Sequence, residues 1–564
     1  MDYLRFIDTT QDSFENEEFL KIFQEIFKQS SQDFALMLDK ISRIHSANLY
    51  WWVSLTASRS WVKNSLYREF CIVKTIQSFN QLNGNEKKFN FLVSSPPQKA
   101  VLEKILGADC PKIFVKTKKV GQYFSIKNSI RPLYFFFNKF IHVLAINFLF
   151  LKFRHKFSIT LAEVFLSSSE NSDRYYPKID TFIDSTLTKD IYFVPTIINT
   201  NIFNFFKIIK NIKTDKKNYF FRELYLGLND LLDAVSYKKR LSKLSFSKDA
   251  QEKTNDNNLE SLILYSLQNE PFNSLSAEGI LNFKFIKNLN HEGQIEIINF
   301  IDWWENTPMD KGLNLALNSF FPRTSVRGYM GFVPNKYSFQ LSPSKQENLS
   351  SVVPNSIGVI GEAFLPILNR LDLTTNAFIA PAFRFEHLKN NISKNKKYFL
   401  ILPSIFPNEF QEMMEIILKT ARLHPEITFI IKPHPGAGKL KISQHGLESK
   451  NVTIDNLSSV DMLLQYAKII ITSSSSAALE GIVHSIPAFI LNHSKLIPES
   501  IIPDSIPRNL WKSFNDIDSL DNEIKQFLRH DINSNTQKHA INLKHYFNLP
   551  TNKNVYEFFL KQNE

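Results

Sequence analysis

The sequence predicts an α/β protein whose central sheets are parallel. Two apolar runs, at 426–432 and 468–472, are rich in β-branched residues and too short to be helices. Each run ends in a polar turn, and a predicted helix at 477–484 separates the second run from another strand at 487–491. Strand, turn, helix and strand in this order form the repeating unit of a parallel sheet.

Composition sets the class of protein and its compartment. The chain has 564 residues, of which 43% are hydrophobic and 22% charged, so it folds into domains rather than remaining disordered. Its two cysteines, Cys71 and Cys110, argue against a disulfide framework and predict a reducing cytoplasm. The polar, acidic first residues do not have the pattern of a signal peptide.

The two polar turns are the main candidates for a binding site, because ligands of parallel sheets lie at the carboxyl ends of the strands. Four serines at 473–476 precede a helix, where hydroxyls, free backbone N–H groups and the helix dipole favour a phosphate. Glu480 lies one helical turn further on, so its carboxylate is expected to accept hydrogen bonds from sugar hydroxyls. Lys432 and His434 add donors from the neighbouring strand. The predicted ligand is phosphorylated and nucleotide-linked.

These motifs carry a resemblance to a known family. KPHP at 432–435 and SSSSAALEG at 473–481 resemble the C-terminal domain of GT-B glycosyltransferases that build bacterial surface polysaccharides. They are similar to motifs of polysialyltransferases, capsule Kdo transferases and CDP-glycerol glycerophosphotransferases. The resemblance implies that the histidine and serines hold the nucleotide phosphate and that the glutamate binds ribose. The implied donor-site residues are Lys432, His434, Pro435, Gly436, Ser473, Ser474, Ser475, Ser476 and Glu480.

The resemblance also implies a domain layout, namely two Rossmann-like domains facing a central cleft. We expect helices at 15–29, 33–44 and 67–81, and a strand at 89–94 that opens the first Rossmann-like domain. The stretch 259–304 has a mostly helical pattern. The predicted layout is a helical region at 1–85, an acceptor-side domain at 86–360, a linker at 361–397, a donor-binding domain at 398–530 and a helical tail at 531–564.

A basic, aromatic segment at 127–156 predicts contact with a membrane. No acidic residue occurs between Cys110 and Ala162, and an apolar run at 132–151 is interrupted by Lys139 and His142. A charged residue inside the run disfavours a spanning helix and favours one that lies in the interface of an anionic membrane. The alternative is a buried core helix with a solvated basic collar. The net charge of +12 favours a membrane, and no nucleic-acid motif is present.

A second motif lies at 302–335. Glu305 and Asn306 precede Pro308, a predicted helix at 309–320 and a strand at 324–333. Uncharacterised surface-carbohydrate proteins of the O-antigen type have a similar element, and the resemblance extends to the Trp-rich segment near residue 51. Glu305 is the predicted general base that deprotonates an acceptor hydroxyl. The remaining predicted residues are Glu292 as a reserve base and Asn306, Arg174 and Tyr329 on the acceptor side.

The sequence therefore predicts a GT-B glycosyltransferase that moves a sugar from a nucleotide donor to a lipid-linked O-antigen or capsule glycan at the cytoplasmic face of the inner membrane. The serine turn, Lys432 and His434 would stabilise the leaving phosphate without a metal or other cofactor. Three alternatives stay open: a polyol-phosphate transferase of the CDP-glycerol type, a sugar-nucleotide epimerase, and a non-catalytic membrane scaffold.

Overall fold

The fold is taken from a computed structural model of the chain. It describes residues 5–11, 14–83, 89–107, 111–116, 122–152, 157–167, 172–184, 186–198, 200–244, 259–390, 393, 395–405, 407–434, 449–492, 500–529 and 543–561, with side chains of the helix at 122–149 from residue 130 onward.

The N-terminal region combines helices with a small sheet of its own. Its elements are β1 (Arg5–Asp8), α1 (Glu17–Gln29), α2 (Ser31–Ile44), α3 (Leu49–Trp52), α4 (Leu66–Asn83), β2 (Phe89–Val93), α5 (Pro96–Leu106) and β3 (Ile113–Val115). The three strands form a parallel sheet in the order β1-β2-β3. The predicted helices are present. The prediction that the strand at 89–94 opens the first Rossmann-like domain is wrong, because β2 pairs with β1 and β3.

The first Rossmann-like domain has a seven-stranded sheet. Its elements are α6 (Gln122–Leu149), β4 (Phe157–Leu166), β5 (Ile191–Ile197), α7 (Ile202–Thr214), β6 (Asn218–Tyr219), α8 (Leu228–Leu241), α9 (Glu260–Asn269), α10 (Ser274–Glu292), β7 (Ile295–Trp303), α11 (Pro308–Phe320), β8 (Ser325–Met330), α12 (Lys345–Leu349), β9 (Ser356–Val359), α13 (Leu365–Leu368) and β10 (Ala377–Ile379). All neighbours are parallel, in the order β10-β9-β8-β7-β4-β5-β6. From β6 to β9 this is the Rossmann order 3-2-1-4-5-6, with β10 as an added edge strand.

The second Rossmann-like domain follows the same order. Its elements are β11 (Tyr398–Leu402), α14 (Pro407–Leu423), β12 (Phe429–Ile431), β13 (Val452–Ile454), α15 (Val460–Leu464), β14 (Ala467–Thr472), α16 (Ala477–Val483), β15 (Ala488–Leu491), β16 (Trp511–Phe514) and α17 (Ile517–Arg529). The sheet runs β13-β12-β11-β14-β15-β16 and is parallel throughout. The central strands β11 and β14 are apolar almost along their whole length, as expected for strands covered on both faces.

The C-terminal tail returns to the first domain. It contains α18 (Leu543–Tyr546) and α19 (Asn552–Leu560). The Arg327 guanidinium, on β8, donates to the carbonyls of Glu557 and Phe558 at 2.8 and 2.6 Å. The rings of Phe558 and Phe559 pack on Phe383. These contacts attach the tail to the first domain.

Two predictions about the first Rossmann-like domain need correction. The stretch 259–304 is helical only to Glu292, because residues 295–303 form β7, a central strand of the sheet. The stretch 361–397 is only partly a linker, because it contributes β10 to the first sheet and a 3-10 helix at Phe383–Lys389 to the first domain. In both cases pairing with neighbouring strands decides the structure, and the local pattern does not reveal it.

Helices α10 and α11 pack with their backbones in contact. A Cβ at Gly312 would overlap the backbone of Gly279, so both positions need glycine for this close approach. The packing fixes α11, and with it the loop before α11 that contains Glu305. The predicted fold class is confirmed: the chain is α/β and of the GT-B type, with two Rossmann-like domains and additional N-terminal helices.

Candidate functional site

The second domain has its topological switch point between β11 and β14. From β11 the chain continues to β12 on one side, and from β14 to β15 on the other. Ligands of such sheets bind where the connections diverge, beyond the carboxyl ends of these two strands. The serines at 473–476 directly follow β14, so the structure places the predicted phosphate turn at the switch point.

Hydrogen bonds hold the serine turn in place. The Thr472 hydroxyl donates to the Leu402 carbonyl at 2.6 Å and accepts from the Ser475 backbone N–H at 3.3 Å. Ser473 is 3% exposed, and its hydroxyl has no hydrogen-bond partner among the described residues. A buried hydroxyl without a partner costs ~1–3 kcal/mol, so a ligand oxygen that reached it would be favoured. The side chains of Ser474, Ser475 and Ser476 are half-buried.

Glu480 lies on α16 beneath the serine turn and has a partner from outside its domain. Its Oε2 lies 2.9 Å from Nε2 of His387, and its Oε1 accepts from the Ser476 hydroxyl at 3.5 Å. Burial alone would lower the pKa of His387, but the hydrogen bond and charge of Glu480 outweigh burial and raise it. Glu480, the residue predicted to bind the ribose, is therefore already held in place before any ribose binds.

The turn after β12 lies at the same edge of the sheet as the serine turn, with β11 between the two strands. The Lys432 backbone N–H donates to the Ile401 carbonyl at 2.9 Å, which extends the pairing of β12 with β11. Lys432 is half-buried and His434 is exposed. Partial removal from water and the charge of Arg174 together lower the pKa of His434. Since Arg174 follows β4 of the first domain, the carboxyl edges of the two sheets face each other. Pro435 and Gly436 lie outside the described residues.

Glu305 occupies the matching position in the first domain, directly after β7 at the switch point between β4 and β7. Its Oε1 accepts from the Trp303 indole N–H at 3.2 Å, and its backbone N–H donates to Asp310 at 3.2 Å. The side chain keeps an exposed surface although protein surrounds it. Partial removal from water raises the pKa of Glu305, against the hydrogen bond from Trp303 and the charges of Lys63 and Arg384. A raised pKa suits a carboxylate that accepts a proton during a reaction.

A cluster of three carboxyl groups lies beneath the Glu305 loop. One oxygen from each of Glu163, Asp302 and Asp310 lies within 4.8 Å of the others, which is close enough to hold a cation. Burial raises the pKa of all three, that of Glu163 to about 8, and neighbouring carboxylates raise them further. Burial and mutual repulsion thus favour the protonated forms of these carboxyl groups. Metal independence stays a prediction.

Three predicted site residues have other roles in the structure. Asn306 is 1% exposed, and its amide donates to the Gln340 carbonyl at 2.7 Å, so it offers no surface to an acceptor. Tyr329 is also buried and donates to the Pro381 carbonyl at 2.7 Å. Glu292 ends α10 and precedes β7, so the nine-residue strand, roughly 30 Å long, separates it from Glu305. Its partner is Lys152 at 2.5 Å, at the opposite edge of the sheet.

Sequence reasoning missed three groups near the site. His387 belongs to a segment read as part of the linker, and no motif marks it. Lys63 and Arg384 influence the pKa of Glu305 from segments that are distant in sequence, and both side chains are exposed. Only the fold brings these residues to the cleft.

A separate surface on the first domain is formed by α6 and α7. The two helices are in contact: the rings of His142 and Phe205 stack at 4.0 Å, and the Asn138 amide donates to the Thr200 carbonyl at 3.1 Å. Lys139 points inward, where its ammonium binds Glu278 at 2.6 Å. The exposed side chains of the two helices are mostly apolar or basic: Ile130, Arg131, Leu133, Tyr134, Phe137, Leu144, Phe148, Ile202, Phe203, Phe206, Lys207, Lys210 and Lys213.

On α6, Lys139 and His142 point inward beside the buried Phe135 and Ile146, whereas most of the exposed side chains are apolar. Phe148 is 88% exposed and Phe203, on α7, is 82% exposed. Within the described residues, the part of α6 from Ile130 to Leu149 is the one helical segment whose length and composition would allow it to cross a membrane. Its inward Lys139 and its packing on α8 instead fit a helix that lies against the domain.

No protein-family model and no curated protein sequence matches the chain. Similar solved structures include the UDP-GlcNAc 2-epimerase of Neisseria meningitidis, with 14% identity, a TM-score of 0.42 and coverage of 72% of this chain and 100% of that one. MurG of Acinetobacter baumannii has 8% identity and a TM-score of 0.39, and the match covers 72% of this chain and 100% of MurG. The wall teichoic acid polymerase TagF has 11% identity and a TM-score of 0.35, and the match covers 79% of this chain and 95% of TagF. Similarities at this level carry no argument about function. Any functional conclusion has to come from the site itself.

Proposed function

We propose that the protein is a glycosyltransferase that transfers a sugar from a nucleotide-activated donor to a lipid-linked surface glycan, of the O-antigen or capsule type, at the cytoplasmic face of a membrane. One observation carries the proposal. The serine turn at 473–476 and Glu305 follow the central strands of two Rossmann-ordered sheets whose carboxyl edges face each other. A phosphate-binding turn and a carboxylate on opposite sides of one cleft are what sugar transfer needs.

The donor would bind in the second domain. Its diphosphate would contact the serine turn, Lys432 and His434, whose donors can stabilise the charge that develops on the leaving group. Glu480 would accept hydrogen bonds from the ribose hydroxyls. Because the pKa of His434 is lowered, its imidazole is mainly a neutral hydrogen-bond donor at neutral pH and Lys432 supplies the charge.

The acceptor would enter on the side of the first domain. The Glu305 carboxylate would accept the proton of the attacking hydroxyl while the bond between the sugar and the diphosphate breaks. The proton moves to Glu305, and the electron pair of the broken bond leaves with the phosphate of the nucleotide. Arg174, which is exposed and faces His434, lies where acceptor and donor would meet.

Calorimetric titration tests the donor site. The protein is titrated with CMP, CDP, UDP and GDP, and the nucleotide that binds identifies the donor class. Ser475→Ala should weaken its binding about tenfold, because it removes a hydrogen bond to a charged phosphate. Ser513→Ala, an exposed serine on the edge strand β16, is the matched control and should bind like the wild type. Equal affinity of both variants would refute the assignment of the serine turn.

The surface of α6 and α7 supports the membrane part of the proposal. Aromatic and aliphatic side chains beside lysines are typical of helices that lie in the interface of an anionic bilayer. Each lysine near such a surface adds ~1 kcal/mol, and a buried Phe or Leu side chain adds ~1.5–3 kcal/mol. The inward Lys139 is not part of this surface, because its ammonium binds Glu278. Arg154 and Lys156, two basic residues of the segment at 127–156 that is predicted to contact the membrane, lie outside the described residues.

Vesicle sedimentation tests this surface. The triple substitution Phe137→Ser, Leu144→Ser and Phe148→Ser should weaken binding to vesicles of phosphatidylcholine with phosphatidylglycerol by more than ~100-fold. The matched control is Leu349→Ser with Leu373→Ser, which are 69% and 85% exposed elsewhere on the protein. Unchanged sedimentation of the triple variant would refute membrane contact through α6 and leave the donor site untouched.

A further inference from the structure

The contact between His387 and Glu480 joins the two Rossmann-like domains at the proposed ribose-binding carboxylate. His387 lies on the 3-10 helix Phe383–Lys389, which belongs structurally to the first domain. The Phe383 ring packs edge-on against Tyr176, with centroids 5.6 Å apart, and the Phe385 ring packs on Phe547 at 4.6 Å. Aromatic contacts on both sides therefore fix the backbone that presents His387.

Glu480 depends on this contact for its orientation. Its carboxylate is almost buried, at 8% residue exposure, and His387 binds one oxygen at 2.9 Å. Among the residues that the structure describes, the other oxygen has the Ser476 hydroxyl as its one hydrogen-bond partner, at 3.5 Å, the limit of a hydrogen bond. With Oε2 held by His387, Oε1 is the oxygen left for a ligand hydroxyl.

The surroundings of His387 favour its charged form. One ring nitrogen faces the Glu480 carboxylate and the other bonds to the backbone of Arg384, in a manner that stabilises the imidazolium. Both neighbours accept protons, so both ring nitrogens act as donors. Asp461 also faces His387 and supports its charge, whereas His484 lies near and opposes it. Lys396 faces His484 from the strand side.

This charge matters because Glu480 lies one helical turn from the serine turn. A bare carboxylate there would repel the diphosphate of a bound nucleotide. An imidazolium paired with the carboxylate cancels that charge and leaves a hydrogen-bond acceptor in place. A ribose diol needs such an acceptor, and a diphosphate needs the absence of net negative charge.

We propose that His387 is a positioning residue of the donor site: it orients Glu480 toward the ribose diol and offsets its charge beside the diphosphate. The inference rests on the proposed nucleotide-binding function. It adds that the first domain supplies part of the donor site, so nucleotide affinity depends on contact between the domains.

The test compares four proteins, namely wild type, His387→Gln, Glu480→Gln and His484→Gln, by calorimetry. The probes are CDP and UDP and their 2′,3′-dideoxy analogues. His387→Gln keeps a donor near the carboxylate and removes the charge, and His484→Gln, at the residue directly after α16, is the matched control. Thermal unfolding of each variant checks that it folds.

The wild type should prefer the ribonucleotide over its dideoxy analogue by about tenfold or more, since a hydroxyl contact with the Glu480 carboxylate is lost. His387→Gln should weaken ribonucleotide binding about tenfold and reduce this preference, and Glu480→Gln should abolish the preference. His484→Gln should behave like the wild type. A purely structural role for His387 would weaken both analogues equally and leave the preference intact.

The wild type provides a second readout that needs no substitution. The pKa of His387 is raised, so its imidazolium persists above the usual range and is lost as the pH rises through that pKa. Nucleotide affinity should fall across this interval in the wild type and stay level in His387→Gln. The pKa of His434 is lowered, so its titration lies at lower pH and does not mimic this effect.

The outcomes separate the two proposals. If the wild type binds a ribonucleotide but His387→Gln keeps the diol preference and the same pH dependence, the role of His387 is refuted and the donor site stands. If the wild type binds none of the nucleotides at any pH, the proposed function fails and the role of His387 fails with it.

Discussion

The clearest prediction about the architecture of the site concerns Glu347, which lies under the Glu305 loop. Glu347 is 1% exposed and binds three groups: the Arg59 guanidinium, the Lys311 ammonium at 2.5 Å and the Ser344 backbone N–H at 2.8 Å. The Asn306 amide lies 3.3 Å from it. Asn306 has a φ of +54°, a conformation that its buried contacts hold in place directly after Glu305.

Glu347→Gln removes the negative charge between two buried cations. Arg59 and Lys311 are 3% and 0% exposed, so water cannot replace the lost partner. Breaking a buried ion pair in this way costs ~3–5 kcal/mol. Burial lowers the pKa of Lys311, so it can release its proton and relieve part of that cost. We expect a loss of stability near the lower end of this range.

Urea unfolding, followed by tryptophan fluorescence, measures the effect. Trp52 reports on the region because the Lys311 ammonium lies 5.3 Å from the centre of its ring. The matched control is Glu386→Gln. Glu386 pairs with Lys178 at 2.9 Å, but the Lys178 side chain is 62% exposed, so this substitution should cost less than ~1 kcal/mol. The double variant Glu347→Gln with Lys311→Met should recover part of the loss. A cost for Glu347→Gln equal to that of the control would refute the reasoning.

Three further predictions concern the base, the carboxyl cluster and helix packing. Glu305→Gln should lower turnover by ~10²–10⁴-fold and leave nucleotide affinity unchanged, and a fully active variant would exclude Glu305 as the base. The folded protein keeps a proton on Glu163 to about pH 8, whereas the unfolded chain loses it near 4.5, so the free energy of unfolding should fall as pH rises through that interval. Urea midpoints should show a shallower fall in Glu163→Gln, and an unchanged slope would contradict the assignment. Gly312→Ala should lower the free energy of unfolding in urea by ~1–3 kcal/mol. Gly227→Ala should lower it much less, because an added Cβ there makes only ordinary van der Waals contact. Equal losses would show that α10 and α11 can move apart.

The fold class was predictable because its signals are local. The strands β11, β12, β14 and β15 are short apolar runs bounded by turn residues, and the helices α14 and α16 fill the intervals between them. The error at β7 has a physical cause. Residues 295–303 follow a helix of nineteen residues, and their partners on β4 and β8 lie far away in sequence. Sheet pairing decides such a segment, and a local pattern does not contain it.

The position of the candidate site was predictable in part for the same reason. The serine turn and Glu305 each lie in a short motif at the end of a predicted strand, and the structure places both motifs after central strands. Asn306 and Tyr329 were placed on the acceptor side because polar residues in a motif suggest contact with a ligand, yet both serve internal hydrogen bonds. His387 was missed because its importance arises only when a segment of the first domain meets α16 of the second.

The outward apolar face of α6 shows the value of the three-dimensional arrangement. The sequence left an interfacial helix and a buried core helix as alternatives for this segment. The exposed Phe148 and Phe137, together with the inward Lys139, fit the interfacial alternative, and α7 adds a second apolar and basic face. Membrane contact itself stays a prediction for the vesicle experiment.

The most direct test of the account is an assay for sugar transfer. The purified protein is incubated with the sugar conjugates of the nucleotide identified by calorimetry and with a lipid extract of bacterial membranes, and products are followed by mass spectrometry. The account predicts release of the donor's nucleotide in equal amount to a newly glycosylated lipid, and loss of both in Glu305→Gln. Conversion of one free nucleotide sugar into its epimer without a lipid product, or nucleotide binding with no turnover, would contradict it.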